Sequence, residues 1–176
     1  ASSVKAIESI ATDGCPNYFD NQRFGSLGES GEFIAKPWCL GDYERAAQLI
    51  GDAILIQPNE AMFHNNLGNV CMERGRFDEA QASYVRAIQA NPDRPDTLNN
   101  LAVVSKWQQK LPEAEALYLR SLKIKEDALG SDHPSVASNV NNLAALYAVM
   151  GRHTEAEPLY QRSLKIWEET LGLEHP

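Results

Sequence analysis

The chain repeats one short string, Asn65-Asn66-Leu67-Gly68, as Asn99-Asn100-Leu101-Ala102 and again as Asn141-Asn142-Leu143-Ala144. The first two copies are 34 residues apart, and the last two are 42 residues apart. Self-similarity at a period of this length predicts an array of structural repeats, each of which is one supersecondary unit. The repeats therefore decide the fold.

Each repeat contains two amphipathic helical patterns. In the second pattern, apolar and small residues recur at a spacing of three, four and three, which places them on one helix face. In the first clear repeat they are Phe77, Ala80, Tyr84 and Ala87. Gly75 and Gly151 are expected to end the first helix in a left-handed conformation. The eight extra residues of the longer repeat predict a second helix that is longer by about two turns.

A 34-residue period with these two helices resembles the tetratricopeptide repeat (TPR) family. The 42-residue form, EAExLYxRSLxI followed by LGxxHP, is similar to the repeats of kinesin light chains and their bacterial relatives. The resemblance covers residues 42–176 and implies an all-α fold, a TPR solenoid of antiparallel helix pairs with an irregular amino-terminal segment. It places a partial repeat at 42–60, full repeats at 61–94, 95–136 and 137–176, and further repeats beyond these.

Composition narrows the class of function. With 24 acidic and 16 basic residues, the formal charge is −8, which argues against a general binder of nucleic acids or anionic membranes. No apolar run reaches the length of a membrane span, and the first residues do not read as a secretory signal. Three scattered cysteines predict reduced thiols, not a disulfide framework. We therefore expect a cytoplasmic protein.

The recurring asparagines are the strongest functional signal of the repeats. In the TPR resemblance the first helix of each repeat lines a concave groove, where side-chain amides can pair with the backbone of an extended peptide. The candidate groove residues are Asn65, Asn66, Asn69, Asn99, Asn100, Asn141, Asn142, Lys106 and Trp107. The alternative is that one asparagine of each pair bonds the neighbouring repeat and only holds the stack. The predicted function is a non-enzymatic scaffold for protein or linear peptide partners.

The same positions argue against one class of peptide. TPR domains that bind chaperone tails grip a C-terminal carboxylate with cationic side chains. The matching positions here hold Asn65, Asn69, Asn100, Ser138 and Asn142. Because no cation stands among them, a C-terminal carboxylate lacks its charge partner.

The amino-terminal segment carries a second resemblance. Residues 16–25, PNYFDNQRFG, are similar to the PNYFGxQRFG motif of the TruD family of tRNA pseudouridine synthases. This resemblance covers residues 1–46 and implies that Asn17 and Phe19 hold a flipped uridine. It further implies that Gln22 and Arg23 support the loop or reach a phosphate of tRNA.

The TruD-like segment departs from its family in ways that matter for activity. Asp20 stands where the family has Gly, and the family's catalytic Asp motif has no counterpart in this sequence. We therefore expect no synthase activity, and the alternative function is a TruD remnant that binds RNA. The purely structural interpretation is that this segment is an aromatic-rich loop that packs on the first helix of the repeats. The TruD-like segment and the repeats meet near residues 40–46, which fit both families. A gene fusion, a truncated gene or an artefact of sequence assembly would each explain how the two segments come to be joined.

Other chemistry is not expected. The four histidines, His64, His133, His153 and His175, include no pair with metal-ligand spacing. The sequence contains no glycine-rich phosphate loop and no nucleophile elbow. The sequence therefore predicts neither a metal site nor a cofactor.

Overall fold

The computed structural model describes residues 43–171. Within that range the chain forms seven α-helices and no β-strand. In chain order they are α1 (Tyr43–Ile56), α2 (Ala61–Glu73), α3 (Phe77–Ala90), α4 (Pro95–Trp107), α5 (Leu111–Leu129), α6 (Pro134–Val149) and α7 (His153–Leu171). The expectations for residues 1–41, including the loop with Asn17, Phe19, Gln22 and Arg23, lie outside the described residues.

The helices belong to two compact units, one ending at Pro92 and the other beginning at Asp93. In the first unit α2 packs on both α1 and α3. Phe63 and Val70 of α2 form an apolar cluster with Ile50 of α1. In the second unit α4 packs on α5, α5 on α6, and α6 on α7. In the second unit the second helix α5 therefore contacts its own first helix and that of the next repeat, as an array of helix pairs requires.

The turns inside the repeats have a left-handed residue, as the sequence predicts for two of them. Gly75 has a φ of 69° and Gly151 a φ of 75°. The middle repeat places Gln109 at this position with a φ of 61°, which a non-glycine residue rarely adopts. The N–H of the following Lys110 donates to the Ser105 carbonyl at 2.8 Å, closing the end of α4 in the Schellman arrangement.

The eight extra residues of the longer repeat are shared between two helices. Helix α5 has 19 residues against 14 in α3, and α6 has 16 against 13 in α4. The expected two-turn extension of the second helix is therefore wrong, because three of the residues extend the next first helix. That helix begins at Pro134, because a proline fits the first helical position and His133 Nδ1 accepts from the Ser135 N–H.

Close packing explains why the first repeated string, residues 65–68, ends in Gly68. A Cβ atom built on Gly68 would lie 2.4 Å from a ring carbon of Tyr84, which is 1% exposed. The later repeats have Ala102 and Ala144 at the equivalent position. The aromatic ring of the first repeat therefore lies closer to its partner helix than an alanine would permit.

Candidate functional site

In the second unit, one hydrogen bond joins the asparagines of neighbouring repeats. Asn142 Nδ2 on α6 donates to Asn99 Oδ1 on α4 at 3.0 Å. Both residues are buried, at 2% and 3% exposure. A buried amide that loses its partner costs about 1–3 kcal/mol, so this pair stabilises the stacking of α6 on α4. It has the stacking role that the second interpretation gives to one asparagine of each pair.

In the first unit the asparagines of α2 also interact with other residues of the protein. Asn65 and Asn66 are buried, and each has an interaction partner. Asn69 Oδ1 accepts a hydrogen bond from the Tyr84 hydroxyl of α3 at 2.7 Å. This bond ties the two helices of the first full repeat together.

Two candidate asparagines of the second unit are only half-buried. Asn100 lies on α4 and has an interaction partner. Asn141 lies on α6, and within residues 43–171 no hydrogen bond reaches its side chain. The recurring asparagines therefore differ in burial. Asn65, Asn66, Asn99 and Asn142 are buried, whereas Asn69, Asn100 and Asn141 are half-buried.

Helix α4 ends with a half-buried cation followed by an exposed aromatic side chain, and α6 ends with an exposed apolar side chain. Lys106 is half-buried, and among the described residues no acceptor lies within hydrogen-bond or ion-pair distance of its ammonium. Burial lowers the pKa of Lys106 below its usual value. Trp107 is 64% exposed, and Val149, which holds the equivalent position on α6, is 58% exposed. The string alignment could have identified Val149, because it is 42 residues from Trp107.

A buried polar network connects α4, α5 and α6, and sequence reasoning missed it. Lys125 on α5 is 4% exposed, and its Nζ lies 2.9 Å from Asp96 Oδ1 and 3.3 Å from Asn139 Oδ1. Asn139 Nδ2 donates to Ser121 Oγ at 2.6 Å, which in turn donates to the Pro95 carbonyl at 2.6 Å. A lysine this deeply buried is stable only when it is paired. Its role is therefore structural.

Arg152 forms a second polar cluster at the start of α7. Its guanidinium lies 2.9 Å from Glu115 Oε1 and 2.6 Å from Glu155 Oε2, and it stacks at 4.0 Å over the ring of Tyr147. The arginine holds the pKa of the Glu155 carboxyl below its usual range. The cluster joins residues of α5, α6 and α7, and each of its charges has a partner.

Metal-ligand clusters and membrane-spanning helices are both absent from the part of the chain that the structure describes. No group of three or more His, Cys, Asp or Glu side chains comes together there as a metal site would require. None of the seven helices combines the length and the apolar character needed to cross a membrane. Cys71 is a buried free thiol whose pKa is raised by burial.

Comparison with protein families identifies the repeats. A tetratricopeptide repeat model matches residues 93–169, and a TPR repeat model matches residues 68–106. The matches begin at residue 68, so they lend no support to the TruD-like motif of the amino-terminal segment. A search of curated protein sequences gives no match.

Several solved structures share the fold. The crystal structure of MamA has a TM-score of 0.66 at 18% identity, over 78% of this chain and 75% of that one. The crystal structure of BtubC (BKLC) from P. vanneervenii has a TM-score of 0.68 at 22% identity, over 80% of this chain and 62% of that one. The MamA RS-1 ArsTM double mutant has a TM-score of 0.65 at 14% identity, over 77% of this chain and 71% of that one.

At these identities the likeness shows the fold alone. The helix order, the left-handed turns and the family matches agree with it. The predicted all-α fold is confirmed, and residues 68–169 consist of tetratricopeptide repeats.

Proposed function

We propose that this chain is a non-enzymatic protein-interaction scaffold that binds an extended peptide along the first helices of its repeats. Tetratricopeptide repeats over residues 68–169, together with the fold shared with the solved structures, support the scaffold. An array of helix pairs offers a continuous surface of side chains, and extended peptides are held on such surfaces by main-chain hydrogen bonds and side-chain contacts.

The ammonium of Lys106 is the observation that carries the proposal. A half-buried cation without an acceptor has lost part of its hydration and has gained no partner within residues 43–171. A bound peptide would supply an oxygen acceptor, either a carbonyl or a side-chain oxygen. Binding would then raise the pKa of Lys106 towards its usual value, because an acceptor stabilises the charged form.

Apolar contacts next to this cation would select side chains of the peptide. Trp107 and Val149 are both more than half exposed at the ends of α4 and α6. Large exposed aromatic side chains are typical anchors of peptide interfaces. The half-buried amide of Asn100 lies further back along α4 and would contact the peptide backbone.

The buried asparagines have a supporting role in this proposal. The bond between Asn99 and Asn142 fixes the spacing of α4 and α6, and therefore the spacing of the side chains that contact the peptide. The positions that match a carboxylate clamp contain no cation, so we propose an internal peptide segment and not a C-terminal tail.

Selection from a random peptide library displayed on phage, with the whole chain as bait, tests the proposal. Peptides that are enriched would then be titrated by calorimetry against the Lys106→Met and Trp107→Ala variants. We expect each variant to weaken binding by roughly tenfold, the usual effect of truncating a central contact. Lys123→Met is the matched control, because Lys123 is exposed on α5. The proposal would be overturned if no peptide were enriched, or if Lys106→Met and Trp107→Ala both left the affinity of the enriched peptides unchanged.

The alternative function, RNA binding by a TruD remnant, depends on the motif around Asn17 and Phe19. These residues lie outside the described range, and no described residue bears on the motif. It stays a prediction from sequence, which tRNA binding by the whole chain and by an Asn17→Ala, Phe19→Ala variant would test.

A further inference from the structure

The lysines of residues 43–171 differ in what surrounds the ammonium group. Lys125 is 4% exposed and forms an ion pair with Asp96 at 2.9 Å. Lys165 is exposed on α7, and its Nζ lies 3.7 Å from Glu169 Oε1. Each of these two ammonium groups therefore has a carboxylate partner that it would lose if its nitrogen were modified.

Two other lysines have no such partner. Among the described residues, no carboxylate lies within ion-pair distance of Lys106 or Lys123. Lys123 is exposed on α5, where water solvates its charge, whereas Lys106 is half-buried in the last turn of α4. Lys106 therefore has neither full hydration nor a protein acceptor, and this combination weakens its hold on the proton.

Burial lowers the pKa of Lys106, and no charged side chain of the described helices contributes to that change. A lower pKa means that more of this side chain is the uncharged amine at any pH below the ordinary lysine value. The uncharged amine is the nucleophilic form, and desolvation of a lysine is one of the ways in which proteins activate it.

The end of α4 is also open to small molecules. Trp107 is 64% exposed, and the two residues that follow the helix cap, Gln109 and Lys110, are exposed as well. Lys106 itself is half-buried and not enclosed, so part of its surface is in contact with solvent. A small reagent can therefore approach its side chain without unfolding the helix.

We propose that Lys106 is a site of acyl modification, at which Nζ takes an acyl group from an acyl phosphate and thereby loses the charge that holds a peptide. The effect on binding rests on the proposed function of the chain. The modification itself rests only on the surroundings of Lys106.

The reaction is a group transfer without oxidation or reduction. The lone pair of the uncharged Nζ attacks the carbonyl carbon of the acyl phosphate and forms an N–C bond. The bond from that carbon to the phosphate oxygen breaks, the phosphate leaves with the electron pair, and the amine proton passes to water. The product is an amide, which carries no charge at neutral pH.

Acylation at this position costs the fold little. It breaks no ion pair among the described residues, whereas acylation of Lys125 would remove the ion pair with Asp96. A neutral amide is also less costly to keep half-buried than an ammonium without an acceptor. We therefore expect the acylated chain to stay folded while its peptide site loses the cation.

Acetyl phosphate is the probe for the reaction. The whole chain would be incubated with it at about pH 8 and digested with pepsin, and the acetylated fraction of each lysine followed by mass spectrometry. The initial rate at Lys106 should be at least about threefold higher than at Lys123, because more of Lys106 is uncharged amine. The ratio should fall at about pH 11, where a lysine of ordinary pKa also loses its proton. A difference in accessibility alone would give a ratio that does not change with pH.

Peptides enriched on the chain test the effect on binding. Lys106→Gln has a neutral amide, as the acylated lysine does, and should weaken these peptides by roughly tenfold. Lys106→Arg keeps the charge and should weaken them by less than about threefold. A saturating peptide should in turn slow acetylation of Lys106 and leave that of Lys123 unchanged, because its acceptor stabilises the ammonium form.

The outcomes separate this inference from the proposed function. Equal initial rates at Lys106 and Lys123, or a rate ratio that stays constant with pH, would overturn the modification site even where Lys106→Gln weakens peptide binding. Selective acetylation combined with peptides that Lys106→Gln binds as tightly as the parent chain would overturn the effect on binding. Failure to enrich any peptide would overturn the proposed function and that effect, and the acetylation rates would still decide the modification site.

Discussion

At the scale of the residue, the repeats place the same amino acid in different bonding environments. Tyr84 is buried and donates its hydroxyl to Asn69 at 2.7 Å. Tyr118 is equally buried, but its hydroxyl has no hydrogen-bond partner among the described residues. Alignment of the repeats explains the difference, because the residue equivalent to Asn69 in the middle repeat is Val103.

The two tyrosines should respond differently to loss of the hydroxyl. We expect Tyr84→Phe to lower the free energy of unfolding by about 1 kcal/mol, because a buried hydrogen bond is lost. Tyr118→Phe should leave it unchanged or raise it by up to about 1 kcal/mol, because an unsatisfied buried hydroxyl is removed. Urea unfolding followed by circular dichroism measures both. Equal losses in the two variants would contradict the prediction.

The limits of sequence reasoning are also visible at this scale. The repeated strings identified Asn99 and Asn142 as two of the recurring asparagines, but they could not show that the two side chains form a hydrogen bond with each other. That bond depends on how far α6 is rotated and translated against α4, which neighbouring side chains decide together. Lys125 was missed for the same reason, since its partners come from two other helices, α4 and α6.

At the scale of the element, α7 contains a feature that α5 lacks. Pro158 lies inside α7, at the sixth residue of the helix, where the equivalent residue of α5 is Ala116. Proline has no N–H to donate to the carbonyl of Thr154, and its ring crowds that carbonyl. The position is exposed, so packing does not compensate for the lost hydrogen bond.

Replacing this proline by the residue of the equivalent position should stabilise the protein. We expect Pro158→Ala to raise the free energy of unfolding by about 1–3 kcal/mol, since proline is about 3 kcal/mol less favourable than alanine inside a helix. The gain is reduced because alanine leaves the unfolded chain with more conformational freedom. Differential scanning calorimetry of the variant, with Ala116→Pro as the reciprocal change, measures the effect. A lower melting temperature for Pro158→Ala would refute this account.

Element boundaries were predictable where single residues decide them. Prolines start α4 and α6, and positive-φ glycines follow α2 and α6. The partition of the eight extra residues between α5 and α6 was not predictable, because both helices can absorb them without a change of hydrophobic pattern. The structure shows five in the second helix and three in the next first helix.

At the scale of the whole molecule, stability in a repeat array comes from contacts between neighbouring helices. Helix α5 has a packed neighbour on each side, α4 and α6, whereas α7 packs on α6 and exposes Tyr160 and Leu164. The period and the helix pattern, which depend on local sequence, were sufficient to predict this order of packing. The exposure of α7 depends on its neighbours in space, and periodicity carries no information about them.

Hydrogen exchange should therefore differ between α5 and α7. Residues 120–124 and 162–166 have the identical sequence Arg-Ser-Leu-Lys-Ile, so their intrinsic exchange rates are closely similar. We expect the amides of residues 162–166 to exchange at least about tenfold faster, because local opening of α7 breaks contacts on one side only. Mass spectrometry of peptides that cover the two segments measures the ratio. Equal protection would mean that the face of Tyr160 and Leu164 is covered in solution. The amides of both helices would then exchange through a single opening of the whole second unit.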